Sequence, residues 1–118
     1  MNFQNEMLPE GASKIGSTPK MTEETVIPGI LKKHLAPRGR FGYLVVEEGA
    51  LQFVWEDDPD NPLDADSDHP IVIFPERFHH VEITGKVRFQ VEFYEVGGIK
   101  IDAGLPQKGQ RPGEDFID

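Results

Sequence analysis

Residues 87–96, "VRFQVEFYEV", form the most regular stretch of the 118-residue chain, because apolar and polar side chains alternate along nearly all of it. An alternation of period two places Val87, Phe89, Val91 and Phe93 on one face, as in a β-strand that buries one side. The stretch predicts the longest and most regular strand of the chain.

Shorter runs upstream have the same character. Residues 43–56, "YLVVEEGALQFVWE", consist of two runs rich in β-branched and aromatic residues, which predict a β-hairpin turning at Glu48-Gly49, with Gly49 at positive φ. Residues 70–75, "PIVIFP", predict a short strand between prolines, and Thr84-Gly85 predicts a turn before the long strand.

The remaining segments are predicted to be connections between strands, an N-terminal arm and a C-terminal tail. Pro28 and Gly29 would stop a helix in "TEETVIPGILKKHL", so we expect a turn feeding a strand at residues 30–34. Residues 57–68, "DDPDNPLDADSD", predict an exposed loop that contains no EF-hand spacing and is followed by an exposed His69. We predict an N-terminal arm at residues 1–19, a β-domain at 20–102 with a last edge strand at Ile99 and Ile101, and a tail at 103–118.

Six or more short strands without a convincing amphipathic helix predict an antiparallel sandwich or small barrel. The net charge of −9 argues against nucleic acid and anionic membranes as partners. No signal sequence or membrane-spanning run is evident, and we predict a cytoplasmic location. No Gly-rich loop joins a strand to a helix, so no nucleotide is expected. Because the chain has no cysteine, a metal would need His, Asp or Glu ligands.

Two adjacent histidines follow the "PIVIFP" strand. Alternation sends His79 inward with Val81 and places His80 and Glu82 on the opposite face. An inward His79 is a metal ligand or a structural histidine, and pairing with His34 across a barrel would give half of a two-histidine, one-carboxylate site for Fe, Mn, Ni or Zn.

The carboxylate of such a site has two candidates, Glu82 and Glu92. Both are outward on simple alternation, so either would need a β-bulge to turn inward. A cross-strand pair between Glu82 and Arg88 is an equally good interpretation of Glu82.

The pattern as a whole resembles the cupin-like domain associated with tellurite-resistance protein B, from about Thr22 to Glu95. The resemblance rests on the segments "HLAPRGRFGYLVVEEGALQFVWE" and "IFPERFHHVEITGKVRFQVEFYE". The matching positions are His34, Gly39, Gly42, Leu44, Val46, Gly49, Leu51, Phe53, Pro75, His79, Val81, Glu82, Phe89, Phe93 and Tyr94.

This resemblance implies a double-stranded β-helix, an antiparallel jelly-roll barrel with a ligand pocket at its open end. It implies His34 and His79 as motif histidines, with Glu82 also at a motif position. The His-x-His pair of a full cupin motif is reduced here to His34. Fused relatives carry an S-adenosylmethionine-dependent methyltransferase, for which this chain has no domain.

Three hypotheses follow. The first is a stress or tellurite-resistance module that binds a divalent metal through His34, His79 and Glu82, or a small ligand in a pocket with His34, His79 and Glu92. The second is a metal-dependent cupin enzyme of the oxygenase or isomerase type. The third is a structural barrel that forms a homodimer by exchanging its N-terminal arm.

Overall fold

A computed structural model describes residues 2–96 of the chain. It contains a 3₁₀ helix, Pro28–Leu31, and six strands: β1 (Ala12–Ser17), β2 (Met21–Thr22), β3 (Arg40–Trp55), β4 (Leu63–Asp66), β5 (Ile71–Ile73) and β6 (His79–Val96). None of the described residues is in an α-helix, and none of the helical segments is long and apolar enough to cross a membrane. The all-β prediction is confirmed.

The strands form one antiparallel sheet in the order β1-β6-β3-β4, with β2 added beside β6 and β5 beside β3. Within residues 2–96 no pairing joins β1 to β4, so the sheet is not closed. A jelly-roll barrel therefore stays a prediction.

The predicted hairpin at Glu48-Gly49 is wrong, because β3 runs without a turn from Arg40 to Trp55. The predicted turn at Thr84-Gly85 is wrong for the same reason, since β6 continues through it. The two long strands pair with each other from Arg40 opposite Glu95 to Trp55 opposite His79, with residues 84–86 of β6 left out of the pairing. Gly49 does have the predicted positive φ, at +80°, but this conformation serves a β-bulge within the strand.

The bulges explain why both halves of β3 can turn one face toward the core. The pairing of β3 with β6 shifts between Val46 and Glu48 and again between Gly49 and Leu51. Buried residues fall on even numbers before the shift, as Val46 shows, and on odd numbers after it, as Leu51 shows, with Val54 buried in addition on the other face. A net slip of one residue reverses the faces of a strand, so the bulges keep both halves facing the core.

The bulges divide the sheet into two halves. Residues 40–46 of β3 pair with β5 and with the C-terminal part of β6, whereas residues 50–55 pair with β4 and with the N-terminal part of β6. Both halves contribute side chains to one apolar core, among them Leu44, Phe53 and Phe89, each at most 1% exposed.

Two shorter predictions also need correction. Residues 30–34 are not a strand, because Pro28 begins a 3₁₀ helix and only His34 forms an isolated bridge. The Asp-rich segment is not entirely a loop, because Leu63–Asp66 pairs with β3 and buries Ala65. His69 is half-buried rather than exposed, since its ring stacks on Phe3. The edge strand predicted at Ile99 and Ile101 lies outside the described residues.

The N-terminal segment packs on its own chain. The side-chain amide of Gln4 donates to the carbonyl of Val72 (3.0 Å) and accepts from its N–H (2.7 Å), as a neighbouring strand would. Further along, β1 pairs with β6, so the predicted arm contains a strand of the sheet. Exchange of this segment with a second copy stays a hypothesis.

Candidate functional site

The structure brings His34 and His79 together. Their backbones form an antiparallel bridge in which each N–H donates to the other residue's carbonyl, at 3.0 and 2.8 Å. Their rings lie with centroids 4.3 Å apart at an interplanar angle of 66°. The inward position predicted for His79 is confirmed, since the residue is 2% exposed. The chain thus builds a pair of imidazoles from two segments 45 positions apart in sequence.

Backbone hydrogen bonds determine the tautomer of both rings. The Nδ1 of His34 lies 2.6 Å from the carbonyl oxygen of Lys32, and the Nδ1 of His79 lies 2.8 Å from that of Arg77. A carbonyl only accepts, so each Nδ1 carries the proton and donates it. In a neutral imidazole the lone pair is then on Nε2, the arrangement that metal-binding histidines use.

The pair lines a small apolar cavity between the two halves of the sheet. Its other walls are apolar side chains and one glycine: Ile30, Ala36, Gly42, Leu44, Phe53, Ile73, Val81, Val91 and Phe93. The cavity leaves about 20 Å³ for the centre of a water-sized molecule. Roughly 10 to 15 Å³ of such space holds one water, so the cavity suits a water or a metal ion rather than a large substrate.

Aromatic rings hold His79 in place. Phe53 stacks against it with centroids 5.0 Å apart, and Trp55 meets it edge-on at 5.4 Å.

Burial of the His79 ring is the main cause, and the neighbouring His34 the next, of a pKa of His79 lowered to about 3. Burial also lowers the pKa of His34. Both imidazoles are therefore neutral near pH 7, as metal ligation requires.

The predicted carboxylates do not join the pair. Glu82 is on the opposite face of β6, where its Oε2 accepts from Nε2 of His80 at 3.0 Å. Glu92 accepts from Nζ of Lys14 and from the hydroxyl of Tyr94 and does not line the cavity. The β-bulges that would turn a glutamate inward are present, but they change the facing of β3, not that of β6.

His80 has a separate set of partners on the outer face. Its Nδ1 donates to Glu56 at 2.5 Å and its Nε2 donates to Glu82. Partial burial lowers the pKa of His80, but the hydrogen bonds to Glu82 and Glu56 outweigh it and raise the pKa above its ordinary value. The sequence pattern does not indicate Glu56, because only the pairing of Val54 with His80 brings its side chain next to His80.

The donor set fits a metal only in part. Among residues 2–96 no group of three or more His, Asp or Glu side chains is placed to hold a metal ion. Two neutral imidazoles with fixed Nδ1 protons are nevertheless suitable ligands for Zn, Fe or Ni. A metal bound there would take its remaining ligands from elsewhere, such as water or a small molecule.

The chain is a small all-β domain with a histidine pair in an apolar cavity. The family model of the TehB-like domain matches residues 16–91, well over half of the chain. The chain therefore belongs to the TehB-like family, which is related to tellurite resistance. A comparison with curated protein sequences finds no match.

Solved structures share the fold. A protein from E. coli (strain K12) is 24% identical with a TM-score of 0.70, and the match covers 77% of this chain and 97% of that one. TehB from Haemophilus influenzae is 21% identical with a TM-score of 0.67. The second match covers 74% of this chain but 32% of TehB, so the chain corresponds to about a third of that protein.

Proposed function

We propose that this TehB-like domain binds a divalent metal, or a small ligand, between His34 and His79 in a cupin-like pocket and serves a tellurite or stress response. In this proposal the open sheet curves into the jelly roll that the sequence resembles. The methyltransferase chemistry of fused relatives is no part of the proposed function.

One observation carries the proposal: two imidazoles share an apolar cavity, and backbone carbonyls fix the proton of each on Nδ1. Histidines that only fill a core have no need to converge on one cavity. Both rings are also neutral, so a metal does not have to displace a proton at neutral pH. Three ligands are typical of catalytic zinc, and the two found here support binding more directly than catalysis.

The test is metal content and metal uptake. Protein purified without an affinity tag or chelator should contain metal, or should take up about one equivalent of Zn²⁺ or Ni²⁺ on titration. Replacing either histidine, as His34→Gln or His79→Gln, should abolish uptake because one imidazole alone is a weak ligand set.

His80→Gln is the matched control. It removes the histidine next to His79, on the opposite face, and should leave uptake unchanged. Less than about a tenth of an equivalent of metal per chain, with no uptake on titration, would reject the metal part of the proposal. Equal loss in the His79 and His80 variants would show that the uptake is not at this site.

A further inference from the structure

Arg77 is fixed by two contacts just before the histidine pair. Its Nη2 and Nε donate to Oδ1 and Oδ2 of Asp57 at 2.8 and 3.0 Å, which makes a bidentate ion pair. Its guanidinium also lies over Trp55, with the central carbon 4.1 Å from the ring centroid. A short bidentate pair combined with stacking leaves the guanidinium little freedom.

The same residue orients His79. The carbonyl oxygen of Arg77 accepts the Nδ1 proton of His79 at 2.8 Å. The indole beneath the guanidinium is the ring that meets His79 edge-on. Arg77 therefore acts on His79 in two ways: its carbonyl accepts the Nδ1 proton, and its guanidinium stacks on Trp55, which packs against the imidazole.

The segment that carries Arg77 is held through the residues on either side of it, because the N–H of Glu76 donates to the carbonyl of Ala36 at 2.8 Å and the carbonyl of Phe78 accepts from the N–H of Glu56 at 2.9 Å. Between β5 and β6 the chain passes through Glu76, which has a left-handed φ of 61°. Such a conformation costs free energy for a non-glycine residue and persists only where neighbouring contacts impose it. The pair with Asp57 is a contact that can fix the direction of the Arg77 carbonyl.

We propose that Asp57 and Arg77 are positioning residues for His79. They hold the Arg77 carbonyl where it keeps the proton on Nδ1 and turns Nε2 toward the cavity. The part of this proposal that concerns metal affinity rests on the proposed function, whereas the part that concerns the tautomer does not. The side chain of Asp57 is 62% exposed, so its ion pair with Arg77 contributes little to stability by itself.

The test uses Asp57→Asn and Arg77→Gln in the full chain. Long-range ¹H–¹⁵N spectra of the metal-free protein report which ring nitrogen of His79 carries the proton. The wild-type protein should show a single Nδ1–H tautomer, and both variants should show a mixture. Zn²⁺ affinity, followed through the single tryptophan Trp55, should fall about 10- to 100-fold, as for other residues that orient a metal ligand.

Arg38→Gln is the matched control, because it breaks the exposed ion pair of Arg38 with Glu76 in the same segment. It should change neither the tautomer nor the affinity. Arg77→Lys keeps the positive charge but cannot form the bidentate pair with Asp57, and should behave like Arg77→Gln. An unchanged tautomer in the Asp57 and Arg77 variants would overturn the proposal. A wild-type protein that shows the tautomer and binds no metal would overturn only the proposed function.

Discussion

At the scale of single residues, Gly49 illustrates how one position sets the course of a strand. Its φ of +80° disfavours any side chain, and a Cβ there would lie 2.1 Å from the carbonyl oxygen of Lys86 on β6. We expect Gly49→Ala to lower the free energy of unfolding by about 2 to 4 kcal/mol, from the left-handed backbone and the clash together. Urea denaturation measures this loss.

Gly85 provides the control for Gly49. It also lies in the middle of a long strand, but a Cβ there would have nothing within 4 Å. Gly85→Ala should change stability by less than about 1 kcal/mol. Equal effects of the two substitutions would contradict the account of the β-bulge.

Burial of His79 predicts a loss of stability in mild acid. An unfolded histidine takes up a proton near pH 6.5, whereas the pKa of folded His79 is lowered to about 3. Between these values the unfolded state binds more protons, so the free energy of unfolding falls as the pH drops below 6.5. From pH 6.5 to pH 5 the expected loss is about 2 kcal/mol, at about 1.4 kcal/mol per unit.

Urea denaturation across this pH range tests the acid effect. His79→Gln should show a clearly shallower fall than the wild type, with some slope left because the pKa of His34 is lowered as well. The same slope in both proteins would mean that folded His79 takes up its proton near the ordinary pH.

His80 should act in the opposite direction and in another pH range. The pKa of His80 is raised in the folded state. Its contribution to the free energy of unfolding is therefore complete below pH 6.5 and is lost as the pH rises through the pKa of the folded state. The stability difference between wild type and His80→Gln should therefore shrink from pH 6 to pH 9, by about 1 kcal/mol or less for a partly exposed pair. A difference that grows with pH would contradict the assigned hydrogen bonds to Glu56 and Glu82.

At the scale of elements, the edge of β5 depends on a side chain from the N-terminus. Gln4→Ala would leave both backbone groups of Val72 without their amide partner, at a cost of about 1 to 3 kcal/mol. Hydrogen exchange at the Val72 amide should accelerate, because that N–H donates to Gln4. The exposed neighbour Asn5 supplies the control, and Asn5→Ala should leave the exchange rate unchanged. Equal acceleration of exchange in the Gln4 and Asn5 variants would mean that the hydrogen bond to Gln4 is not what protects the Val72 amide.

The sequence predicted the strands better than the connections between them. Alternation identified residues 87–96 and the buried face of Val87, Phe89 and Val91 correctly. Glu48-Gly49 and Thr84-Gly85 have turn-like composition, yet each continues a strand, because a positive φ serves a bulge as well as a turn. Local composition does not distinguish the two, since only pairing with a distant strand decides between them.

At the scale of the whole molecule, the site depends on contacts that periodicity does not encode. Alternation alone indicated that His79 points inward and His80 outward, and the structure agrees. The pairing of His34 with His79 was proposed from metal-site chemistry and from the family resemblance, and it arises from a bridge between distant segments. The ion pair of Asp57 with Arg77 could not be predicted from the sequence, because side chains in an irregular segment follow no periodic pattern.

We propose that the two imidazoles are the ligands of one metal ion. Anomalous diffraction from crystals grown with Zn²⁺ would locate that ion directly. We expect a peak in the cavity about 2.0 to 2.1 Å from Nε2 of both His34 and His79. Zinc found only on the outer face near His80, or a cavity without zinc at saturating concentration, would contradict it.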